Sequence, residues 1–246
     1  MSENLSAGSG TAQWSTVTHP CNADTMNLWY EFPALMVGFD IESTGLDTEV
    51  DEPISYGFAA YENGELVSEE EFFALPSVAI HPAAEKVHGW SRSKLEELHV
   101  AGEAHSAVAG VARAAQRLRA FHAQGAHFIG AYPEYDFRMT TSLLRRHSMG
   151  DLEVLGFDLA TVNLIDVCKH DRAIDSDRTR RRNLTALSGH YQVTPGNHTA
   201  IGDAKAAVEV FIKQVAHNQA NSLESKVAAL RMPANLDQSG PSAAGR

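Results

Sequence analysis

The chain has 246 residues, 43% of them hydrophobic, and a formal net charge of −11. That length and apolar content support one substantial domain with a real core, while the acidic balance argues against a broad basic surface for nonspecific duplex binding. No apolar run approaches the roughly 18 residues of a membrane span, the N-terminus lacks the basic start and apolar run of a secretory signal, and Cys21 and Cys168 form neither a CxxC pair nor a disulfide framework, so a cytoplasmic protein with no membrane partner is expected.

Residues 1–32 are rich in Ser, Thr, Gly and Asn without periodicity and predict a disordered tail, with Trp14, Trp29 and Tyr30 as its aromatic exceptions. Residues 34–42 read as an apolar strand. Two further strands, 54–61 and 65–73, flank Glu62-Asn63-Gly64, a hairpin signal. A short capped helix is expected over 91–98, a longer one over 103–124, and a buried strand over 125–131. A helix over 135–147 turns Leu143 and Leu144 inward, and a strand follows at 162–167. Asn183 suits the cap of a helix running to 191. A last helix over 199–217 carries Ile201, Val208, Val210, Phe211 and Val215. This alternation predicts an α/β domain over residues 33–219, a mixed sheet covered by helices. Residues 220–246 read as a helix end and a flexible tail.

The first strand ends in Asp40-Ile41-Glu42. Residues i and i+2 of a strand share a face. Two carboxylates on one buried face repel each other and lose hydration, a cost that a cation between them offsets. Carboxylate oxygens suit magnesium or manganese. Gly45, in the following Ser43-Thr44-Gly45, permits a tight turn with open backbone N–H groups. Asp136 follows the strand predicted at 125–131; alone, it fits a helix N-cap as well as a ligand. His198 lies on the loop after Pro195-Gly196-Asn197, and Asp203 stands five residues later in the first turns of the last helix. Arg178-Thr179-Arg180-Arg181-Arg182, near Lys169 and Arg172, reads first as a solvated loop and second as a contact to an incoming strand.

An Asp-x-Glu pair, a distant Asp, and a His five residues before a last Asp resemble the DEDDh branch of the DnaQ-like 3′–5′ exonucleases. That family includes the proofreading subunit of bacterial replicative DNA polymerase, ribonuclease T and oligoribonuclease. The resemblance runs from about residue 34 to about residue 218. Asp40 to Leu46 is similar to the family's Asp-x-Glu-Thr-Thr-Gly-Leu, with Ser43 for the first Thr, and residues 80–90 resemble its connector ending in His-Gly, here His88-Gly89.

The resemblance implies an RNase H-like exonuclease fold. It implies that Asp40, Glu42, Asp136 and Asp203 hold two Mg2+ or Mn2+ ions and that His198 is the general base. An imidazole, with a reference pKa of about 6.5, exchanges a proton with water near neutral pH. Ser43, Thr44, Gly45 and Leu46 would border the terminal nucleotide. His88 is either a substrate contact or a packing residue before the next helix. Many relatives carry Asn where Tyr132 stands, so Tyr132 either stacks on a base or packs. The expected substrate is a single-stranded 3′ end, DNA favoured over RNA, with a DNA polymerase as a candidate partner in proofreading, replication or repair. The alternatives are an exoribonuclease and a catalytically weak module that docks on a polymerase.

Overall fold

The computed structural model describes residues 33–153, 157 and 162–231, with side chains as far as residue 218. The expected tails at 1–32 and beyond 231 lie outside the described residues. Strand β1 (Leu35–Ser43) runs through the middle of a six-stranded sheet and pairs antiparallel with β2 (Pro53–Glu62), which pairs antiparallel with β3 (Glu65–Leu75). Asn63 and Gly64 take φ of 51° and 84°, the two positive values that a tight hairpin of this kind requires. Helices α1 (Pro82–His88) and α2 (Arg92–Val100) lead to β4 (Ala104–Ser106), parallel to β3. Helix α3 (Ala107–Ala123) leads to β5 (His127–Gly130), α4 (Pro133–Arg146) and β6 (Asn163–Asp166), and β5 runs parallel to β1 and β6. The strand order is β4-β3-β2-β1-β5-β6. Helices α5 (Val167–Ile174), α6 (Leu184–Tyr191) and α7 (Ala200–Arg231) complete the described chain. This is the RNase H-like exonuclease fold expected from the sequence, and among the described residues no helix is long and apolar enough to cross a membrane.

Several boundaries differ from expectation. The helix expected from residue 103 begins at Ala107, because Ser106 accepts the Ala109 N–H as its cap and the three residues before the helix pair with β3. Neither α1 nor α5 was foreseen; α5 forms because the Asp166 carboxylate accepts the N–H groups of Cys168 and Lys169. The last helix continues past residue 217 to Arg231.

Alternation along β1 sorts its side chains into two layers. Val37, Phe39 and Ile41 join Tyr56, Phe58 and Phe72 against α3 and α4, and Phe39 stacks on Phe58 with centroids 4.8 Å apart. Met36 faces the other way, into a core built with Ala204, Val208 and Phe211 of α7. Gly38, Asp40 and Glu42 share that second face. The two glycines beneath α7 set its height. A Cβ on Gly38 would lie 2.1 Å from the Ala204 carbonyl oxygen, and one on Gly57 would lie 2.2 Å from the Ala200 carbonyl carbon. The helix backbone therefore rests directly on the sheet, closer than any side chain permits. Its N-terminus is placed by this contact over the end of β1.

Gly57→Val forces α7 off the sheet. It should lower stability by roughly 1–3 kcal/mol, the range for overpacking a close contact, in urea unfolding. An unchanged midpoint would show that α7 does not need this seat.

Candidate active site

Four carboxylates converge where β1 ends. Glu42 is 9% exposed and Asp136 4%. Asp136 lies one helical turn into α4 and reaches toward the Ile41 backbone. Asp203 stands in the first turn of α7. Burial raises the Asp40 carboxyl well above the usual range, and the charges of Asp136, Asp203 and Glu42 push it further. Burial likewise lifts Glu42 to about 7, with Asp203 and Glu71 adding to the shift. Asp136 is raised by burial and by Glu42 and Asp203, against backbone hydrogen bonds that oppose the shift. Asp203 is raised by burial despite the opposing effect of His198.

His198 is half-exposed, and its Nδ1 lies 3.9 Å from Asp203 Oδ2. Asn197 and His198 both adopt left-handed backbone, φ 59° and 56°, which swings the ring back over the helix start. Gly196 makes room for that turn, since a Cβ there would lie 2.0 Å from Asp203 Oδ1. Glu42, His198 and Asp203 each offer one ligand atom, and the three atoms lie within 4.8 Å of one another.

The predicted wall residues divide by role. Ser43 Oγ donates to the Gly45 carbonyl at 2.7 Å, and Leu46 is 86% exposed at the rim. Thr44 is fully buried, and its hydroxyl bonds Asp51 Oδ1 at 2.8 Å and the Glu52 N–H at 3.0 Å. Its N–H and carbonyl are bound to Glu52 and His81. Thr44 thus fixes the loop from within, its polar groups all engaged. Gly45 needs to be glycine for a reason other than the expected turn: a Cβ would lie 2.4 Å from Asp51 Oδ2. His88 Nδ1 accepts the Trp90 N–H at 3.0 Å. Its ring sits close enough to His198 that burial first, and then that neighbour, hold it below the usual imidazole range. Tyr132 ends up at the N-cap of α4 in left-handed backbone, φ 60° and ψ 45°. Such a conformation costs an L-residue roughly 1–2 kcal/mol and favours Asn.

Two residues without a predicted role complete the site. Tyr135 donates to the Gly45 carbonyl at 2.7 Å and so ties α4 to the loop after β1. Glu71 accepts the Ile201 N–H at 3.4 Å and holds the start of α7. Its signal was the hairpin register: Glu71 pairs with Gly57, which pairs with Asp40, placing all three in one cross-strand row. The basic run is only partly solvated. Arg178 and Arg182 pair with buried Asp171 and keep 8% and 14% of their side chains exposed, whereas Arg180 and Arg181 face solvent.

A family model described as exonuclease, of the RNase T type, matches residues 37–211. The chain belongs to this exonuclease family. No curated protein matches it in sequence. Exonuclease I of E. coli in complex with a dT13 oligonucleotide is similar in structure, with a TM-score of 0.63 at 15% identity over 78% of this chain and 43% of that one. Exonuclease I of Methylocaldum szegediense matches at 0.62, with 16% identity over 80% of this chain and 43% of that one. The zinc-bound form of the E. coli exonuclease I–ssDNA complex matches at 0.63, with 15% identity over 79% and 43%. At these identities the likeness is one of fold, and the chain spans less than half the length of these proteins.

The clustered acids of this chain fit a divalent cation. Among the described residues no Lys or Arg makes an ion pair with Asp40, Glu42, Asp136 or Asp203, although each is raised by burial and most by its acidic neighbours. An oxygen-rich, cation-free cluster of this kind matches the donor preference of magnesium and manganese.

The raised value of Glu42 sets a pH dependence. Between an ordinary 4.5 and about 7, the folded chain keeps a proton that the unfolded chain has lost. Stability therefore falls as pH rises through that window when no cation is bound. In chelator, Glu42→Gln should melt higher than the parent at about pH 8 and no higher at about pH 5; manganese should raise the parent at about pH 8. Equal melting of the two proteins in chelator at about pH 8 would refute the uncompensated cluster.

Proposed function

We propose that the chain is a 3′–5′ exonuclease that releases nucleoside 5′-monophosphates from single-stranded DNA, with Asp40, Glu42, Asp136 and Asp203 holding two Mg2+ or Mn2+ ions. The observation that carries this is the cluster of Glu42, His198 and Asp203, with Asp40 and Asp136 close enough to feel the charges of these acids, within a chain of the exonuclease family. Bound cations of this class lower the pKa of water and neutralise phosphate charge. His198 Nδ1 faces Asp203, which leaves Nε2 to take the proton of the attacking water. The new P–O bond forms as the bond to the penultimate 3′ oxygen breaks, and that oxygen takes a proton from solvent. Asp203 steadies the imidazolium. Ser43, Gly45 and Leu46 border the terminal nucleotide, with Thr44 and Tyr135 fixing the loop they stand on. His88 closes the side nearest His198.

DNA is favoured over RNA because the structurally similar exonuclease I of E. coli is described with a dT13 oligonucleotide. The resemblance to a proofreading subunit supports a cytoplasmic role beside a DNA polymerase in replication or repair. A 5′-labelled single strand should yield a descending ladder, a closed circle should resist, and RNA of the same sequence should be cut more slowly. His198→Ala should lower turnover by roughly a hundredfold or more while keeping the manganese-dependent rise in melting temperature. Efficient cutting of the circle would overturn the exonuclease reading, and loss of the manganese response in His198→Ala would make His198 a ligand.

A further inference from the structure

We propose that the single strand leaves the site over the ends of β5 and β6, stacked on Tyr132 and held at its phosphates by Lys169 and Arg172. The proposal rests on the nucleic-acid reading above and adds the path of the nucleotides upstream of the one removed.

Topology places this path beside the site. β1, β5 and β6 are parallel, so their C-terminal ends share one edge of the sheet. Glu42 stands at the end of β1, Tyr132 two residues beyond β5, and Lys169 three residues beyond β6. On the opposite flank the loop after β1 carries acids at its rim. There α1 closes on the loop after β1, with the His81 N–H donating to the Thr44 carbonyl at 2.8 Å, and the exposed rim carries Asp47 and Glu49. These two carboxylates disfavour a phosphate backbone at that rim.

The β5–β6 end has the features that hold a single strand without reading its sequence, a ring to stack on and cations along the backbone. Tyr132 is 48% exposed. Its phenol lies near Cys168, at the start of α5, and near Arg172. Next to it runs a groove of about 320 Å³ between α4 and α5, lined by Pro133, Glu134, Leu164, Ile165, Asp166 and Lys169 among others. Its two carboxylates are both within reach of Lys169 Nζ, Glu134 at 2.7 Å and Asp166 at 3.9 Å. Arg172 and, on α4, Arg138 are exposed close by. Lys169 is paired with Glu134, while Arg172 and Arg138 make no ion pair among the described residues, so in a chain of net charge −11 this end offers cations open to a phosphate. Tyr132 keeps its left-handed backbone here, where Asn would sit with less strain; the ring is what Asn lacks.

The test measures binding by fluorescence anisotropy in an Asp40→Asn background, so that the probe survives. The probes are an oligothymidylate dodecamer and a thymidine dinucleotide. Tyr132→Asn and the pair Lys169→Glu with Arg172→Glu are each compared with that parent, and thermal unfolding checks that they fold; Asn is tolerated at left-handed φ. Each should weaken the dodecamer by about tenfold or more and the dinucleotide by less than about twofold. The charge reversal should also flatten the salt dependence for the dodecamer by about one per cation removed. Equal loss for both probes would place these residues at the terminal nucleotide or in folding, and no loss for either would remove the path; both overturn the proposal. A parent that binds neither probe would overturn the nucleic-acid reading itself.

Discussion

Helix α7 can bring Asp203 and His198 to the end of β1 only because the sheet is bare beneath it. Gly38 and Gly57 lie under the backbone of Ala204 and Ala200 at distances no side chain could share. Glu71, one strand further, accepts the first helical N–H groups. The helix start is thus held on one side by contact and on the other by a carboxylate that favours its positive dipole end. The groups proposed to act in catalysis on the late part of the chain hang from this seat. His198 reaches back over Asp203 through two left-handed residues, a turn that works only if the helix start is fixed.

The same geometry creates an electrostatic conflict. Asp40, Glu42, Asp136 and Asp203 are gathered into a site where burial disfavours their charged forms, and mutual repulsion adds to it. Two buried acids elsewhere in the fold are met by cations. Asp171 is met by Arg178, Arg182 and Tyr191, and Glu52 by Ser77 and Arg146. The contrast shows that this fold can compensate a buried carboxylate with its own cations and withholds them at the site. A divalent cation is the compensation that this arrangement leaves open.

Much of this was legible in the sequence because it is local. Asp40 and Glu42 at the end of an apolar strand and the Asn63-Gly64 turn are read from spacing alone, whereas His198 five residues ahead of Asp203 takes its meaning from the family resemblance. What escaped depends on partners distant in sequence. Glu71 looked like one of several strand acids until register put it across Gly57 from Asp40. Tyr135 gained its role from a carbonyl ninety residues away. Half of the arginine run turned inward because a buried Asp171 awaited it, and nothing adjacent in sequence reveals that burial. The constraint on Gly45 also comes from a distant partner, since an added Cβ would meet the Asp51 carboxylate.

The four acids are proposed to act as one cation-binding unit assembled by α7. Manganese binding followed by electron paramagnetic resonance tests it directly, since free and bound ions are counted without any substrate. Two ions per chain at saturation are expected for the native protein, with a loss of tight binding when Asp40 or Asp203 is replaced by Asn. Undiminished binding in Asp203→Asn would contradict it, because α7 would then contribute nothing to the site it was argued to complete.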